Sequence, residues 1–332
     1  MKILVTGGLG YIGSHVVVEL IRNNYEVLII DNLSNSNISI LNQIETITNK
    51  KPLFKKIDLT NKKDVLSFFK KNKKFHGVIH FAALKSVRDS INEPLKYYEN
   101  NILSLINLLE FMPKGIPFVF SSSCTVYGNS KTQPIKEDTD YGNPVSPYGH
   151  TKQICEQLID SQFKSNSKFK GISLRYFNPI GAHPSGLIGE DTKNNPENIL
   201  PYIIKVVSGD KDILTVHGND YPTRDGTCIR DYIHIMDLTE AHCKAIEYLC
   251  NIKINKLNEH INIGTGIGVS VLELISEFER VTGNKVPFKI GNRRPGDVET
   301  AFADNEKAKK TLGWTSNYSL SDALKSAWDW EK

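Results

Sequence analysis

Up to about residue 180, short apolar runs rich in β-branched residues alternate with helical patterns of hydrophobic residues. Nearly continuous apolar runs are typical of strands that are buried on both faces of a parallel sheet. Strand and helix repeated at this spacing predict an α/β fold with a doubly wound, Rossmann-like parallel sheet. We expect strands at 2–8, 25–31, 52–58, 77–83, 117–123 and 171–178, and helices near 12–23, 62–71, 94–112 and 147–165.

The pattern loosens after Pro179, where glycine, proline and asparagine become frequent and the apolar runs become shorter. We therefore expect residues 1–178 to form the sheet domain and residues 179–332 to form a smaller, mixed α/β lobe. The chain of this second lobe is expected to cross back to the first, so the boundary is not sharp.

Composition excludes several classes of protein. The sequence contains no apolar run near the ~18 residues that a membrane-spanning helix needs. Its five cysteines are scattered and form no C-x-x-C pair, so we expect free thiols, no metal site and a cytoplasmic location.

The net charge is only +4, and the lysines clustered between residues 50 and 74 lack interleaved arginine or aromatic residues. That pattern indicates a solvated face rather than a nucleic-acid site.

The first apolar run leads into a glycine-rich turn, G-x-x-G-x-x-G, formed by Gly7, Gly10 and Gly13. The turn follows a predicted strand and opens a predicted helix, which is the context that dinucleotide binding requires. Glycines let the backbone approach a pyrophosphate, and the helix N-terminus supplies free N–H groups and partial positive charge. We predict that this turn binds the pyrophosphate of a nicotinamide cofactor.

Two aspartates mark the adenosine end of that cofactor. Asp31 ends the second predicted strand, where a carboxylate accepts hydrogen bonds from ribose hydroxyls and repels a 2′-phosphate. No arginine follows in DNLSNSN, which favours NAD over NADP. Asp58 ends the third predicted strand and is expected to meet the adenine amino group.

The predicted chemical centre combines a serine run with a tyrosine–lysine pair. Ser123 ends the fifth predicted strand, at the edge where doubly wound sheets bind ligands. Tyr148 and Lys152 are one helical turn apart, so the ammonium is expected to lie beside the phenol and to lower its pKa from about 10. A serine hydroxyl, an activated phenol and a bound nicotinamide together indicate hydride transfer, with Tyr148 as the base.

A set of longer segments resembles UDP-glucose 4-epimerase, an extended member of the short-chain dehydrogenase/reductase family. The resemblance runs from Lys2 to about Asp304 and is weaker beyond it. It is carried by TGGLGYIGSHVV, IIDNLSNS, HFAALKSV, PLKYYENN, SSSCTVYG, SPYGHTK, LRYFNPIGAHPSG, NDYPTRDGT, RDYIHIMDL and RRPGD.

The resemblance implies a reaction without net oxidation, in which a 4-keto sugar rotates and is reduced on its other face. It further implies that Lys85, Asn100 and Tyr176 contact NAD. The remaining residues that we expect to line the NAD site are Tyr11, Ile12, Asn32, Leu59 and Phe81. Residues expected at the UDP-sugar are Asn178, Asn198, Arg230, Arg294 and Asp297, and His217 falls where the family commonly has a phenylalanine beside the uracil.

Ala301 departs from the pattern of members that are restricted to glucose and galactose, which carry a tyrosine at the matching position. Members that also turn over N-acetylated sugars carry a small residue there. We therefore predict that UDP-GlcNAc and UDP-GalNAc are accepted too, unless Phe302 fills the space or the alignment slips by one residue.

Two alternative functions fit this sequence less well. The resemblance extends to nucleotide-sugar 4,6-dehydratases, but these carry an Asp-Glu pair where this chain has Cys124-Thr125. An NAD-binding regulator without catalysis would not need Ser123, Tyr148 and Lys152 together.

A homodimer is also expected. Helices 94–112 and 147–165 match those that pair across a two-fold axis in the family. The first of them carries apolar residues on more than one face, which suits burial on two sides. These residues are Leu103, Leu105, Ile106, Leu108 and Leu109.

Overall fold

The computed structural model describes residues 1–191, 198–294 and 296–332. Its strands are β1 (Lys2–Thr6), β2 (Glu26–Asp31), β3 (Leu53–Lys56), β4 (Gly77–His80), β5 (Pro117–Ser121), β6 (Lys170–Tyr176), β7 (Asn178–Ile180), β8 (Leu214–His217), β9 (Ile229–His234), β10 (Leu257–Ile263), β11 (Gly268–Ser270), β12 (Phe288–Gly291) and β13 (Thr300–Ala301). Its α-helices are α1 (Tyr11–Arg22), α2 (Ile40–Thr48), α3 (Lys62–Lys71), α4 (Val87–Asn92), α5 (Pro94–Phe111), α6 (Pro147–Ser165), α7 (Ile199–Val207), α8 (Ile235–Asn251), α9 (Val271–Thr282), α10 (Glu306–Leu312) and α11 (Leu320–Glu331), and a 3₁₀ helix spans Cys124–Tyr127.

The main sheet is parallel throughout, with the strand order β10-β6-β5-β4-β1-β2-β3. The predicted doubly wound α/β fold is confirmed. Strand β2 ends at Asp31 as predicted, whereas the other five predicted strands end two or three residues early, so Ser122, Ser123 and Asp58 lie beyond the ladder rather than in it. Because the strands are parallel, all of these carboxyl ends meet at one edge, which is where such sheets bind ligands.

Two apolar layers cover the faces of the sheet. On one face the core contains residues of α1, α2 and α8; on the other face it contains residues of α3, α5 and α6. The central strands β1, β4 and β5 are almost fully buried, as their continuous apolar runs predicted. Helix α6 starts where Ser146 accepts a hydrogen bond from the Gly149 backbone N–H and Pro147 occupies the first turn.

Helix α2 was absent from the sequence-based prediction. It buries only Leu41 and Ile44, and the asparagine- and serine-rich stretch before it is more typical of a loop. The periodic signal was therefore too short to predict a helix.

The later part of the chain divides its elements between two places. Helix α8 and strand β10 pack with the main sheet, so the chain does return to it. Strands β7, β9, β11 and β13 form a second, smaller sheet, and β8 pairs with β12. Helices α7, α9 and α11 share a separate apolar core with these strands. Among the described residues, no helix combines the length and apolar character needed to span a bilayer.

Candidate active site

The turn between β1 and α1 presents an uncapped helix N-terminus. Gly10 occupies the capping position without a side-chain hydrogen bond, and the first turn of α1 contains no acidic residue. The N–H groups of Tyr11, Ile12 and Gly13 come before the first intrahelical acceptor can reach them. Such a terminus attracts an anion, which fits the predicted pyrophosphate.

The three glycines of the turn have different surroundings, so a side chain would have a different effect at each position. A Cβ on Gly13 would lie 2.2 Å from the Gly7 carbonyl oxygen, and one on Gly7 would lie 2.7 Å from the Ala82 nitrogen, so both positions permit close backbone packing. A Cβ on Gly10 would meet only the Gly7 carbonyl oxygen, at 3.4 Å. Space beside Gly10 is therefore open, as a bound phosphate requires.

This difference yields a test of the cofactor site. We expect Gly10→Ala to fold normally, because its φ of −74° suits alanine, and to retain less NAD after purification because the methyl group enters the open space. Cofactor content can be measured from the absorbance ratio and by release in acid. Gly13→Ala is the matched comparison and should lower the melting temperature instead. Full NAD content in Gly10→Ala would contradict the assignment.

Asp31 and Asp58, the two aspartates predicted at the adenosine end of the cofactor, follow neighbouring strands, and the loops that begin there are in contact. Asp31 is buried and accepts hydrogen bonds from the Leu9 and Leu33 backbone N–H groups (3.1 and 2.9 Å) and from Ser36 (2.8 Å). Asn32 donates to Asp58 over 3.2 Å, which joins the ends of β2 and β3. Leu59, the next residue, is buried below them. Asp31 thus fixes the glycine-rich turn directly, in addition to its predicted contact with ribose.

Ser123, Tyr148 and Lys152 meet at the edge of the sheet beyond β5, and all three are buried. Ser123 forms a side-chain hydrogen bond with the Tyr148 phenol, and its hydroxyl accepts a hydrogen bond from the Thr125 backbone N–H (3.2 Å). The Lys152 ammonium lies 5.8 Å from the Tyr148 ring centroid and donates to the Ser121 carbonyl (2.7 Å). The structure therefore brings the three predicted catalytic residues together.

The sequence predicted that the Tyr148 phenol has a lowered pKa, and for the protein without a bound cofactor this prediction is wrong. Burial raises the pKa of Tyr148 well above its usual value, the nearby Tyr176 adds to this, and the hydrogen bond from Ser123 opposes it. Burial also lowers the pKa of Lys152 to about 8, and the nearby Cys155 and Glu156 partly oppose this decrease. Lowering the phenol pKa therefore needs a further positive charge in the site.

Of the other residues predicted to contact NAD, Tyr176 lies nearest to this centre. The Tyr176 hydroxyl hydrogen-bonds Ser121 (2.8 Å), and Phe81 packs against His242 with ring centroids 4.8 Å apart. Asn100, on α5, donates to Asn101 over 3.0 Å. Lys85 follows β4 and is exposed, with its ammonium 5.8 Å from the Tyr11 ring centroid.

The charged residues predicted at the UDP group form one cluster in the second lobe. Asp297 accepts two hydrogen bonds from the Arg294 guanidinium (2.8 and 3.2 Å) and lies 3.8 Å from the nearest nitrogen of Arg230. Arg230 lies on β9 directly opposite Ala301 on β13. Two guanidinium groups at this spacing provide paired, charge-assisted donors suited to a pyrophosphate.

Ala301 links that cluster to the catalytic serine. It is buried in an apolar cluster with Phe177, and Cys124, the neighbour of Ser123, packs against the same cluster. Phe302 points elsewhere, because a Cβ on Gly268 of β11 would lie 3.1 Å from its ring. Phe302 therefore does not occupy the space that a tyrosine at position 301 would fill.

The other predicted substrate residues lie at the borders of the site. Asn178 starts β7 opposite Tyr232 of β9. His217 ends β8 and is exposed, with its ring 3.2 Å from the Asn292 carbonyl oxygen. Asn198 directly precedes α7, and its side chain donates to Glu190 over 3.0 Å instead of capping the helix.

Sequence reasoning missed residues whose partners are distant along the chain. Glu190 pairs with Lys85 (2.9 Å) as well as with Asn198, so it joins the cofactor side to the substrate side. Asp231 is completely buried and accepts hydrogen bonds from Gly266, Ala303 and Thr265, which tie β9 to the loop after β10 and to the segment after β13. The segment RDYIHIMDL contains Asp231, but the sequence alone assigned it no role.

Within the described part of the chain, no group of three or more His, Cys, Asp or Glu side chains is arranged to bind a metal. All five cysteines are free.

Comparison with known proteins agrees with this geometry. The protein-family model described as GDP-mannose 4,6 dehydratase matches residues 4–327. A UDP-glucose 4-epimerase of Bacillus subtilis (strain 168) is 47% identical over 333 aligned residues, which cover 100% of this chain and 97% of the relative.

Solved structures of UDP-glucose 4-epimerases also match this chain along nearly its whole length. A UDP-glucose 4-epimerase from Stenotrophomonas maltophila, crystallised with NAD and formylated UDP-arabinopyranose, superposes with a TM-score of 0.94 at 42% identity, covering 100% of this chain and 98% of that one. A UDP-Glc/GlcNAc 4-epimerase from Campylobacter jejuni superposes with a TM-score of 0.84 at 33% identity, covering 99% and 98%.

Proposed function

This chain belongs to the UDP-glucose 4-epimerase family, whose members use NAD, and on that basis we propose that it interconverts UDP-glucose and UDP-galactose through a 4-keto sugar. The observation that carries the proposal is the meeting of Ser123, Tyr148 and Lys152 between an uncapped helix N-terminus and a pair of arginines. One end of this arrangement suits a dinucleotide, the other suits a nucleoside diphosphate, and a base lies between them.

Each catalytic residue has a distinct task. Tyr148 takes the proton of the sugar C4 hydroxyl, and Ser123 hydrogen-bonds the same oxygen while its own oxygen is fixed by the Thr125 N–H. Lys152 is the nearby cation that stabilises the phenolate. Bound NAD supplies the hydride acceptor and donor for sugar C4, together with a positive charge that lowers the phenol pKa.

The second lobe must hold the substrate while its sugar turns. Arg230, Arg294 and Asn178 bind the UDP part, with Asp297 orienting both guanidinium groups. The sugar is expected near two small side chains, Ala301 and Cys124, which pack in one apolar cluster. A firm anchor beside an open pocket lets the 4-keto sugar rotate without leaving the protein.

A 4,6-dehydratase reaction is not favoured, although the matching family model carries that description. Elimination across C5 and C6 needs an acid and a base next to Ser123. Cys124 and Thr125 stand there, and burial raises the pKa of the Cys124 thiol to about 12.

We also infer that the enzyme accepts UDP-GlcNAc and UDP-GalNAc. Ala301 presents only a methyl group in the apolar cluster that Cys124, the neighbour of the catalytic serine, packs against, and Phe302 is directed toward β11. Exclusion by shape is the simplest means by which such a pocket rejects an acetamido group. The Campylobacter jejuni relative, named for both sugar classes, shares the fold along nearly the whole chain.

A homodimer in the cytoplasm completes the proposal. Leu105 and Leu108 of α5 are buried against the sheet, whereas Leu103 and Ile106 are 38% and 37% exposed. Leu95, at the start of the same helix, is 79% exposed. An apolar face left uncovered beside a buried one suits pairing with a second copy. The five free thiols suit a reducing compartment.

The dimer can be tested with charge substitutions. We expect the double variant Leu103→Glu, Ile106→Glu to sediment as a monomer, because two carboxylates cannot be buried at an apolar interface. Ile254→Glu, at another isoleucine that is 44% exposed, is the control and should leave the dimer intact. A double variant that still sediments as a dimer would place the interface elsewhere.

The proposed activity is tested by incubating purified protein with UDP-galactose and no added NAD, followed by anion-exchange chromatography. Formation of UDP-glucose until the two sugars reach a constant ratio is the expected result. Absence of conversion, in protein shown to contain NAD, would refute the proposed function.

A further inference from the structure

A buried carboxylate connects the two elements that carry the catalytic residues, helix α6 and the end of β5, with the neighbouring strand β6. Glu156 lies on α6, one helical turn after Lys152 and two turns after Tyr148, and is completely buried. Its side chain accepts hydrogen bonds from Ser122 at the end of β5 (2.5 Å) and from Arg175 on β6 (2.7 to 3.2 Å). It is too deep to touch substrate.

The hydrogen bond from Ser122 to Glu156 lies just beyond the end of β5. Strand β5 ends at Ser121, and the side chain of Ser122 is one of the anchors of the segment that carries Ser123. Ser122 is completely buried, and its backbone N–H also donates to the Leu174 carbonyl (2.9 Å). Ser123 is thus fixed through Ser122 on one side and through the Thr125 N–H on the other.

The bond from Arg175 fixes the third element. Arg175 directly precedes Tyr176, whose hydroxyl hydrogen-bonds Ser121. The guanidinium reaches both oxygens of Glu156 and also donates to the Tyr127 hydroxyl (2.9 Å). A paired, buried contact of this kind has a well-defined geometry, so the carboxylate ties α6 to the adjacent ends of β5 and β6, which are already paired with each other.

We propose that Glu156 is a positioning residue of the epimerase reaction, which holds Ser123 at a fixed distance and angle from Tyr148 and Lys152 through its bond with Ser122. The inference rests on the proposed function and adds a requirement to it. Proton transfer and hydride transfer at one carbon require the Tyr148 phenol and the Ser123 hydroxyl to be held in a fixed relative position. A displacement of about 1 Å can lower the rate by about 100-fold. Glu156 touches no reacting atom, so its influence is on kcat rather than on substrate affinity.

The carboxylate offers a matched pair of substitutions. Tyr141 also donates a hydrogen bond to Glu156 (2.9 Å), but it comes from the loop before α6 and carries no catalytic residue. Ser122→Ala and Tyr141→Phe each remove one hydroxyl donor from the same carboxylate and leave the Arg175 pair intact. Replacing Glu156 itself would leave a buried unpaired arginine and could prevent folding.

We expect Ser122→Ala to lower kcat for UDP-galactose by about tenfold or more, with KM within about twofold, full NAD content and a melting temperature a few degrees lower. Tyr141→Phe should show a similar melting temperature and a kcat close to that of the wild type. Equal kcat values in the two variants, whether both normal or both reduced, would overturn the inference. An inactive wild-type protein would instead refute the proposed function, so the two failures are distinguishable.

Discussion

Replacement of Tyr148 by phenylalanine is expected to lower kcat by about three orders of magnitude, which is the range that general acid–base catalysis contributes. The phenol is the group placed to take the C4 hydroxyl proton, and its ring is buried beside Ser123 and Lys152. The phenyl ring of the variant fills the same space, so the fold and NAD content should be unchanged. Initial rates with saturating UDP-galactose and an absorbance measurement of bound cofactor test both statements.

Tyr98→Phe is the control for this experiment. Tyr98 lies on α5, and its hydroxyl forms a hydrogen bond with His150 of α6 (2.8 Å). The substitution therefore removes one phenol hydrogen bond to the helix that carries Tyr148, without changing the catalytic serine or lysine. We expect nearly normal kcat. Substantial turnover by Tyr148→Phe, or equal losses in both variants, would remove Tyr148 from its proposed role.

Ala301→Tyr is expected to reduce conversion of UDP-GalNAc by about 100-fold and to change conversion of UDP-galactose by less than about threefold, because a phenol ring occupies the space needed by the acetamido group. The effect is a change in the ratio of the two kcat/KM values. It is read from parallel assays of the wild type and the variant with both sugars.

Ala301→Ser keeps a small side chain at the same buried position and should retain both activities. A wild-type enzyme that converts UDP-galactose alone would contradict the open-pocket proposal before any substitution is made. If Ala301→Tyr lost both activities together with NAD content or melting temperature, the ring would be disturbing the neighbouring Phe177 cluster rather than selecting substrates.

The sequence predicted those parts of the site whose residues are close along the chain or follow successive strands. The glycine-rich turn, Asp31 and Ser123 each come directly after an apolar run, and parallel strands bring such positions to one edge. Tyr148 and Lys152 share a helical face whatever the tertiary structure is. These features required only local periodicity and the known geometry of a parallel sheet.

Features that depend on distant contacts were not predictable in this way. Glu190 lies 105 residues from Lys85, and Glu156 is 34 residues from Ser122, with no local pattern that joins them. For the protein by itself, the predicted direction of the Tyr148 pKa shift was wrong because burial, which only the fold determines, raises that pKa. Side chains that act through tertiary contacts or burial thus need the structure.

In the proposed reaction, the hydrogen removed from C4 is kept inside the site and returned to the same carbon. UDP-galactose carrying deuterium at C4 tests it directly, with the UDP-glucose product examined by mass spectrometry and NMR. We predict that the deuterium remains at C4 and that no solvent hydrogen appears there. Loss of the label to water would contradict the account, since inversion would then proceed by proton exchange with solvent rather than by oxidation and reduction at C4.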